Sequence, residues 1–274
     1  MLALIAGTGD LPAALVARLP APPLICAMDG FAPAMTADVT FRIEQLGSFL
    51  SGLRARGVTE ICLAGAIRRP PIDPAAVDAA TRPLVPRIMA AIAQGDDGAL
   101  RAIIAILEDA GLTVRAAHEI APDLLPDAGV LSRKPVTTAA HQDAAIAEQT
   151  IAEMGRADIG QACVVGNGQV LAREGQAGTD AMLDRLAAQG RGGKPGPADA
   201  AFRGAILFKA PKPGQDRRAD LPVIGPQTAR RAIAAGLAGI VIAHDGVMVL
   251  DQDRVLSALD EAGLFLWVRR GGRA

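Results

Sequence analysis

The chain of 274 residues has no tyrosine, a single tryptophan and aromatics amounting to only 3%. Single-stranded nucleic acid is usually gripped on aromatic stacking platforms and a basic groove. Here Lys and Arg number 28 against 29 Asp and Glu, for a net charge of −1, so neither device is present. Nucleic acid is excluded as a partner. Long hydrophobic runs are also missing: none reaches the roughly 18–20 residues that span a bilayer. The opening MLALIAGTGDLP has no basic segment, and its apolar run stops at Gly7, so it reads as a strand and not as a secretion signal. Cysteine is scarce: Cys26, Cys62 and Cys163 are odd in number and set in apolar runs. They read as small buried hydrophobes in a reducing cytoplasm, neither a disulfide frame nor a zinc site. His118, His141 and His244 stand apart from one another. No G-x-S-x-G elbow and no G-x-x-x-x-G-K-[ST] loop occurs.

What is present is an alanine-rich, aliphatic sequence, half of it hydrophobic and long enough for two ordinary domains. Residues 2–6 form a short continuous apolar run, as expected of a strand buried on both faces. Gly7-Thr8-Gly9-Asp10-Leu11-Pro12 and a helix start follow at once. A strand, a glycine turn and a helix N-terminus make up the phosphate cradle of doubly wound folds. Pro12 takes the place of the third glycine of G-x-G-x-x-G and suits a first helical turn. Strands at 23–28, 60–65 and 112–116, with helices at 49–57 and 99–110 between them, continue the alternation. Repeated βα units of this kind predict a mostly parallel sheet. Asp96 or Asp97 is expected to cap the helix at 99–110. Arg68-Arg69 leaves the third strand as a candidate anion clamp.

Periodicity lapses over 122–135, where Pro, Asp and Gly cluster as in a linker. The resulting expectation is an α/β protein with one domain over residues 1–132 and another over 133–274. The second half carries a hairpin around Gly166-Asn167-Gly168 and then the stretch that holds the chemistry, FRGAILFKAPKPGQDRRADLPVIGPQT. Its apolar strand breaks into a loop with Lys209, Lys212, Asp216, Arg217, Arg218 and Asp220 among prolines and glycines. Carboxylates suit Mg²⁺, and Mg²⁺ with Lys or Arg stabilises charge on a reacting phosphate. The residues alone therefore point to phosphoryl or nucleotidyl chemistry. A nucleotide-cofactor oxidoreductase, prompted by the Gly-x-Gly turn, and a non-catalytic lipid-nucleotide carrier remain as alternatives.

Taken together, IAGTGDLP, AGAIRRP, GDDGALR, DIGQACVV, VLAREGQAGTDAML and above all KAPKPGQDRRADLPVIGPQT carry a family resemblance. Over nearly its whole length the chain resembles the UDP-2,3-diacylglucosamine pyrophosphatases of the alternative, non-calcineurin-type class. At one position it departs from them: Ala177 stands where that family has an acid before Gly-Thr-Asp, leaving Glu174 and Asp180 as the nearby carboxylates. The resemblance implies a Rossmann-like N-terminal domain and a C-terminal α/β domain of family-specific fold. It further implies hydrolysis of UDP-2,3-diacylglucosamine to 2,3-diacylglucosamine 1-phosphate and UMP in lipid A synthesis, with Mg²⁺ or another divalent metal such as Mn²⁺. Asp220 and Asp216 would be the metal-binding acids, and Lys209, Lys212 and Arg217 would neutralise the diphosphate. Thr8, Gly9, Leu11, Arg69, Gln161, Thr179 and Asp180 would meet the substrate. A cytoplasmic homodimer, visiting the inner membrane transiently, is the expected setting.

Overall fold

A computed structural model describes residues 1–67, 72–92, 95–190, 202 and 204–271. The chain folds as two compact units, Met1–Pro122 with Asp216–Leu221, and Asp123–Gln215 with Pro222–Ala274.

The first unit is built from strands β1 (Leu2–Ala6), β2 (Leu24–Met28), β3 (Val39–Phe41), β4 (Glu60–Ala64) and β5 (Thr113–Arg115). Its helices are α1 (Leu11–Val16), α2 (Leu46–Ala55), α3 (Val85–Ile92), α4 (Asp96–Asp109) and α5 (Ala117–Ile120). The five strands pair in parallel in the order β3-β2-β1-β4-β5, the doubly wound order that the βα alternation predicts. Both faces are covered, as the unbroken apolar runs require. Ala3, Ile5 and Ile61 pack on Phe49, Leu50 and Leu53 of α2 and on Ile104 and Leu107 of α4, while Leu4 and Cys62, pointing the other way, are 0% exposed. Phe41 and Phe49 stack with ring centroids 3.9 Å apart. The expected cap of α4 is corrected: its N-cap is Gly95 (φ 91°), which makes no side-chain cap bond, and the helix begins at Asp96. Acid in the first turn still complements the helix dipole.

The second unit comprises β6 (Gly129–Val130), α6 (Thr138–Arg156), β7 (Ala162–Gly166), β8 (Gln169–Arg173), α7 (Gly178–Gly190) and β9 (Ile206–Lys209). It continues with β10 (Val223–Ile224), α8 (Pro226–Ala234), β11 (Gly239–Ala243), β12 (Met248–Val249), α9 (Gln252–Glu261) and β13 (Phe265–Arg269). Six strands form a mixed sheet in the order β6-β13-β11-β9-β7-β8. β9, β11 and β13 are parallel, whereas β6, β7 and β8 add antiparallel edges. The side-chain period of two divides these strands cleanly between two helical layers. Val164, Leu207, Ile240, Ile242 and Leu266 pack with Met182, Leu183, Ala229, Val255 and Leu259 from α7, α8 and α9. Their neighbours Cys163, Val165, Ile206, Phe208, Val241 and Phe265 pack with Ala144, Ala147 and Ile151 of α6. The result is an α/β/α sandwich. Thr137 caps α6 by accepting from the Ala140 N–H at 3.2 Å.

Candidate active site

In the first unit the loops after β1 and β4 meet where the strand order reverses, the usual ligand crevice of such sheets. They are latched to each other. Gly7 N–H donates to Ala64 O at 2.8 Å, Thr8 N–H to Ala66 O at 3.0 Å and Ala66 N–H to Thr8 O at 2.9 Å. The Thr8 hydroxyl adds a bond to Ala66 O at 3.1 Å. The approach is so close that a Cβ on Gly7 would lie 2.6 Å from Ala66 O. Gly9, at φ +97°, is different: nothing lies within 4 Å of the position a Cβ would take, so its surface is open to a ligand. Leu11 is buried at the start of α1, and Arg69 lies outside the described residues.

The stretch from Lys209 onward divides between the units. Its later part, Asp216–Leu221, belongs with the first unit. Arg218 anchors it there. The guanidinium donates through Nε and Nη2 to the two oxygens of Asp216 at 3.0 and 2.7 Å, and through Nη1 to Glu108 of α4 at 2.6 Å. Ala219 packs on the first core. The side-chain bonds from Arg218 hold the Asp216 carboxyl below the usual carboxylate range and raise the Arg218 guanidinium above its own. Arg217 is exposed. Burial first, and the charge of Arg217 second, push His118 below its ordinary value, and the buried Nδ1 of His118 finds no hydrogen-bond partner among the described residues.

The earlier part belongs to the second unit and forms a buried polar network at the end of β9. Lys209, 7% exposed, donates from Nζ to Thr179 Oγ1 at 3.0 Å. Thr179, on the first turn of α7, donates in turn to Glu174 Oε1 at 2.7 Å. Glu174 Oε2 accepts the Gln161 N–H at 2.8 Å. Lys212, 8% exposed, pairs directly with Asp158 at 2.5 Å. The Gln215 side-chain oxygen accepts the Lys212 N–H at 2.9 Å, and its amide nitrogen reaches Gln161 Oε1 at 3.4 Å. Lys209, Lys212, Thr179 and Gln161 are thus gathered within one unit, although the sequence reading placed the two lysines with Arg217 and put Thr179 and Gln161 among the substrate contacts. Asp180 is not part of this network; its exposed carboxylate pairs with Arg231 at 3.2 Å. Sequence reasoning named Glu174 only as one of the nearby carboxylates and gave no site role to Asp158, Gln215 or His118. An acid directly after a strand and before Gly175 was the available signal for Glu174.

Comparison with known proteins follows the same two-part division. The family model described as the LpxI N-terminal domain matches residues 1–124, and the one described as the LpxI C-terminal domain matches residues 127–267. The chain belongs to the LpxI family. Among curated proteins it is 37% identical over 278 residues to the UDP-2,3-diacylglucosamine pyrophosphatase LpxI of Caulobacter vibrioides, covering 97% of this chain and 96% of that one.

Among the described residues, no group of three or more His, Cys, Asp or Glu side chains is placed to hold a metal ion. A cage made by the protein alone is therefore missing from this part of the molecule. Magnesium asks for less: it typically takes one or two carboxylates, keeps several waters and accepts oxygens from a substrate phosphate. Asp216 and Asp220, both half-buried in the segment anchored by Arg218, are the carboxylates that suit such an arrangement there, and Asp216 also accepts from Arg218 with both oxygens.

Proposed function

We propose that the protein hydrolyses UDP-2,3-diacylglucosamine to 2,3-diacylglucosamine 1-phosphate and UMP, a step of lipid A biosynthesis. The observation that carries this is the match of both LpxI family models along the chain, with 37% identity to the named pyrophosphatase over 97% of its length.

Hydrolysis of a diphosphate builds negative charge on the phosphoryl oxygens, and preorganised cations in a water-poor site stabilise it best. Lys209 and Lys212, both at least nine-tenths buried, are held in such a way. In the first unit, the exposed Arg217 is a further candidate cation. Asp220 would hold a divalent metal, Mg²⁺ or Mn²⁺, together with substrate oxygens. When bound, the metal would supply charge neutralisation and polarisation of the diphosphate. Asp216 also serves as the anchor of Arg218. A cavity of about 230 Å³ is lined by Ile151, Ala152, Phe208, Ala210, Pro211 and Pro213, with the paired Glu148 and Arg269 also in its wall. Its apolar lining suits part of an acyl chain. No helix among the described residues is long and apolar enough to cross a membrane. We extend the proposal to a cytoplasmic homodimer meeting its lipid substrate peripherally at the inner membrane, checked by light scattering and vesicle co-sedimentation.

The test is UMP release from UDP-2,3-diacylglucosamine with Mg²⁺, with EDTA, and with Asp220→Ala. Turnover that needs metal and falls by about a hundredfold in the variant, roughly 2.7 kcal/mol of barrier, is expected. Full turnover in Asp220→Ala would remove Asp220 from the site, and binding of the lipid nucleotide without turnover would make the protein a carrier.

A further inference from the structure

We propose that Glu174 is a positioning residue for this reaction, acting on Lys209 through the Thr179 hydroxyl. The inference deepens the hydrolase reading above and rests on it. Lys209 ends a strand whose preceding residues, Ile206, Leu207 and Phe208, are at most 2% exposed, and its ammonium is carried into that buried setting. A buried charge needs compensation by hydrogen bonds and an opposite charge. Two designs for this stand side by side. Lys212 meets its carboxylate, Asp158, directly at 2.5 Å. Lys209 is linked to Glu174 through a hydroxyl, with Nζ to Oγ1 at 3.0 Å and Oγ1 to Glu174 Oε1 at 2.7 Å.

The polarity of that chain is fixed by chemistry. An ammonium only donates and a carboxylate only accepts, so the single Thr179 proton must go to Glu174 and its lone pair must face Lys209. Glu174 cannot swing away, because its second oxygen is held by the Gln161 N–H at 2.8 Å. The backbone makes room for it as well. Gly160 sits at φ +113°, and a Cβ there would come within 3.1 Å of both Glu174 Cγ and Glu174 O. Linked donors polarise one another, so the carboxylate steers the ammonium through the hydroxyl while remaining one group removed from it. Lys209 is thereby oriented by Glu174.

The test compares Thr179→Val, Thr179→Ser, Glu174→Gln and the Glu174→Gln/Thr179→Val double variant, reading kcat and KM for UMP release with Mg²⁺ beside thermal unfolding. Valine keeps the shape of threonine and removes the hydroxyl; serine keeps the hydroxyl. The expected result is a fall in kcat of about 10- to 100-fold in Thr179→Val and Glu174→Gln, the range known for partners that orient a functional group, with KM little changed. Thr179→Ser should recover most of the rate, and the double variant should be no slower than the worse single one, since the two residues act in series. If Glu174→Gln fails to fold, the Thr179→Val and Thr179→Ser pair decides alone. Wild-type kcat in Thr179→Val, Thr179→Ser as slow as Thr179→Val, or losses that multiply in the double variant would overturn the proposal. A wild-type protein releasing no UMP would overturn the function itself, and the relay's part in it.

Discussion

Gly7 and Gly9 flank Thr8 and look equivalent in the sequence, yet the structure assigns them opposite reasons for being glycine. Gly7 is limited by space: a Cβ would stand 2.6 Å from Ala66 O, 2.8 Å from Ala66 C and 2.9 Å from Ile67 Cγ1. Restoring an ordinary contact of 3.4 Å requires the Ala66 carbonyl to retreat by about 0.8 Å. That carbonyl accepts both the Thr8 N–H at 3.0 Å and the Thr8 hydroxyl at 3.1 Å, and the Ala66 N–H donates back to Thr8 O at 2.9 Å. Overpacking of this kind costs about 1–3 kcal/mol. Each hydrogen bond lost with the latch adds about 1 kcal/mol. Gly7→Ala should therefore destabilise the protein by about 2–4 kcal/mol. Gly9 is limited by conformation alone, with φ at +97° and nothing within 4 Å of the added carbon. Gly9→Ala should cost about 1–2 kcal/mol, the left-handed penalty of an L-residue. Urea unfolding followed by circular dichroism measures both. A Gly9→Ala loss equal to or larger than that of Gly7→Ala would refute the steric reading of the latch.

Three further outcomes follow from the buried charges and thiols. Lys212→Met removes the ammonium from the direct Asp158 pair and should lower both stability, by about 1–3 kcal/mol, and kcat; an unfolding curve and a rate of UMP release that both match the wild type would count against the pair. Burial pushes the thiols of Cys26, Cys62 and Cys163 up to about 12, so none should react with a disulfide reagent at pH 8 until the protein is unfolded, and prompt labelling of the native protein would contradict their placement. Burial, and then Arg217, depress His118 from 6.5, so its ring should stay neutral until the pH falls below that value; Arg217→Ala should move the midpoint upward in an NMR titration, and an unmoved midpoint would separate the two residues.

The elements legible in the sequence were those whose side chains report burial by themselves. The runs at 2–6 and 60–65 are apolar without alternation because both faces of a parallel sheet are covered, and β1 and β4 pair where those runs lie. The pairing of β3, β6 and β10 was not legible. Each has only two or three residues, too few to show a period, and is held in place by the neighbour it joins: Phe41 by Met28, Val130 by Trp267, Val223 by Met248. Nor could periodicity show that Asp216–Leu221 packs with the first unit, because what holds it there is a guanidinium reaching Glu108 across 110 positions of sequence and Ala219 packed on that unit's core.

For the candidate site, composition located the chemistry but could not divide it among the residues. Lys209 and Lys212 lie three positions apart in one loop and carry the same charge. The structure gives them different partners: Lys209 donates to a hydroxyl on α7 that is bonded to Glu174, and Lys212 pairs with Asp158. The same holds for the acids. Asp216 and Asp220 share a loop, and only the structure shows that Asp216 accepts from Arg218 with both oxygens. Glu174, which in sequence could pass for a solvated acid after a strand, is 7% exposed and holds both the Gln161 backbone and the Thr179 hydroxyl. A carboxylate in a loop acquires its role from the donors that reach it, and those donors come from distant parts of the chain. Removing the donor, as in Thr179→Val, is therefore a sharper probe of such a site than removing the acid.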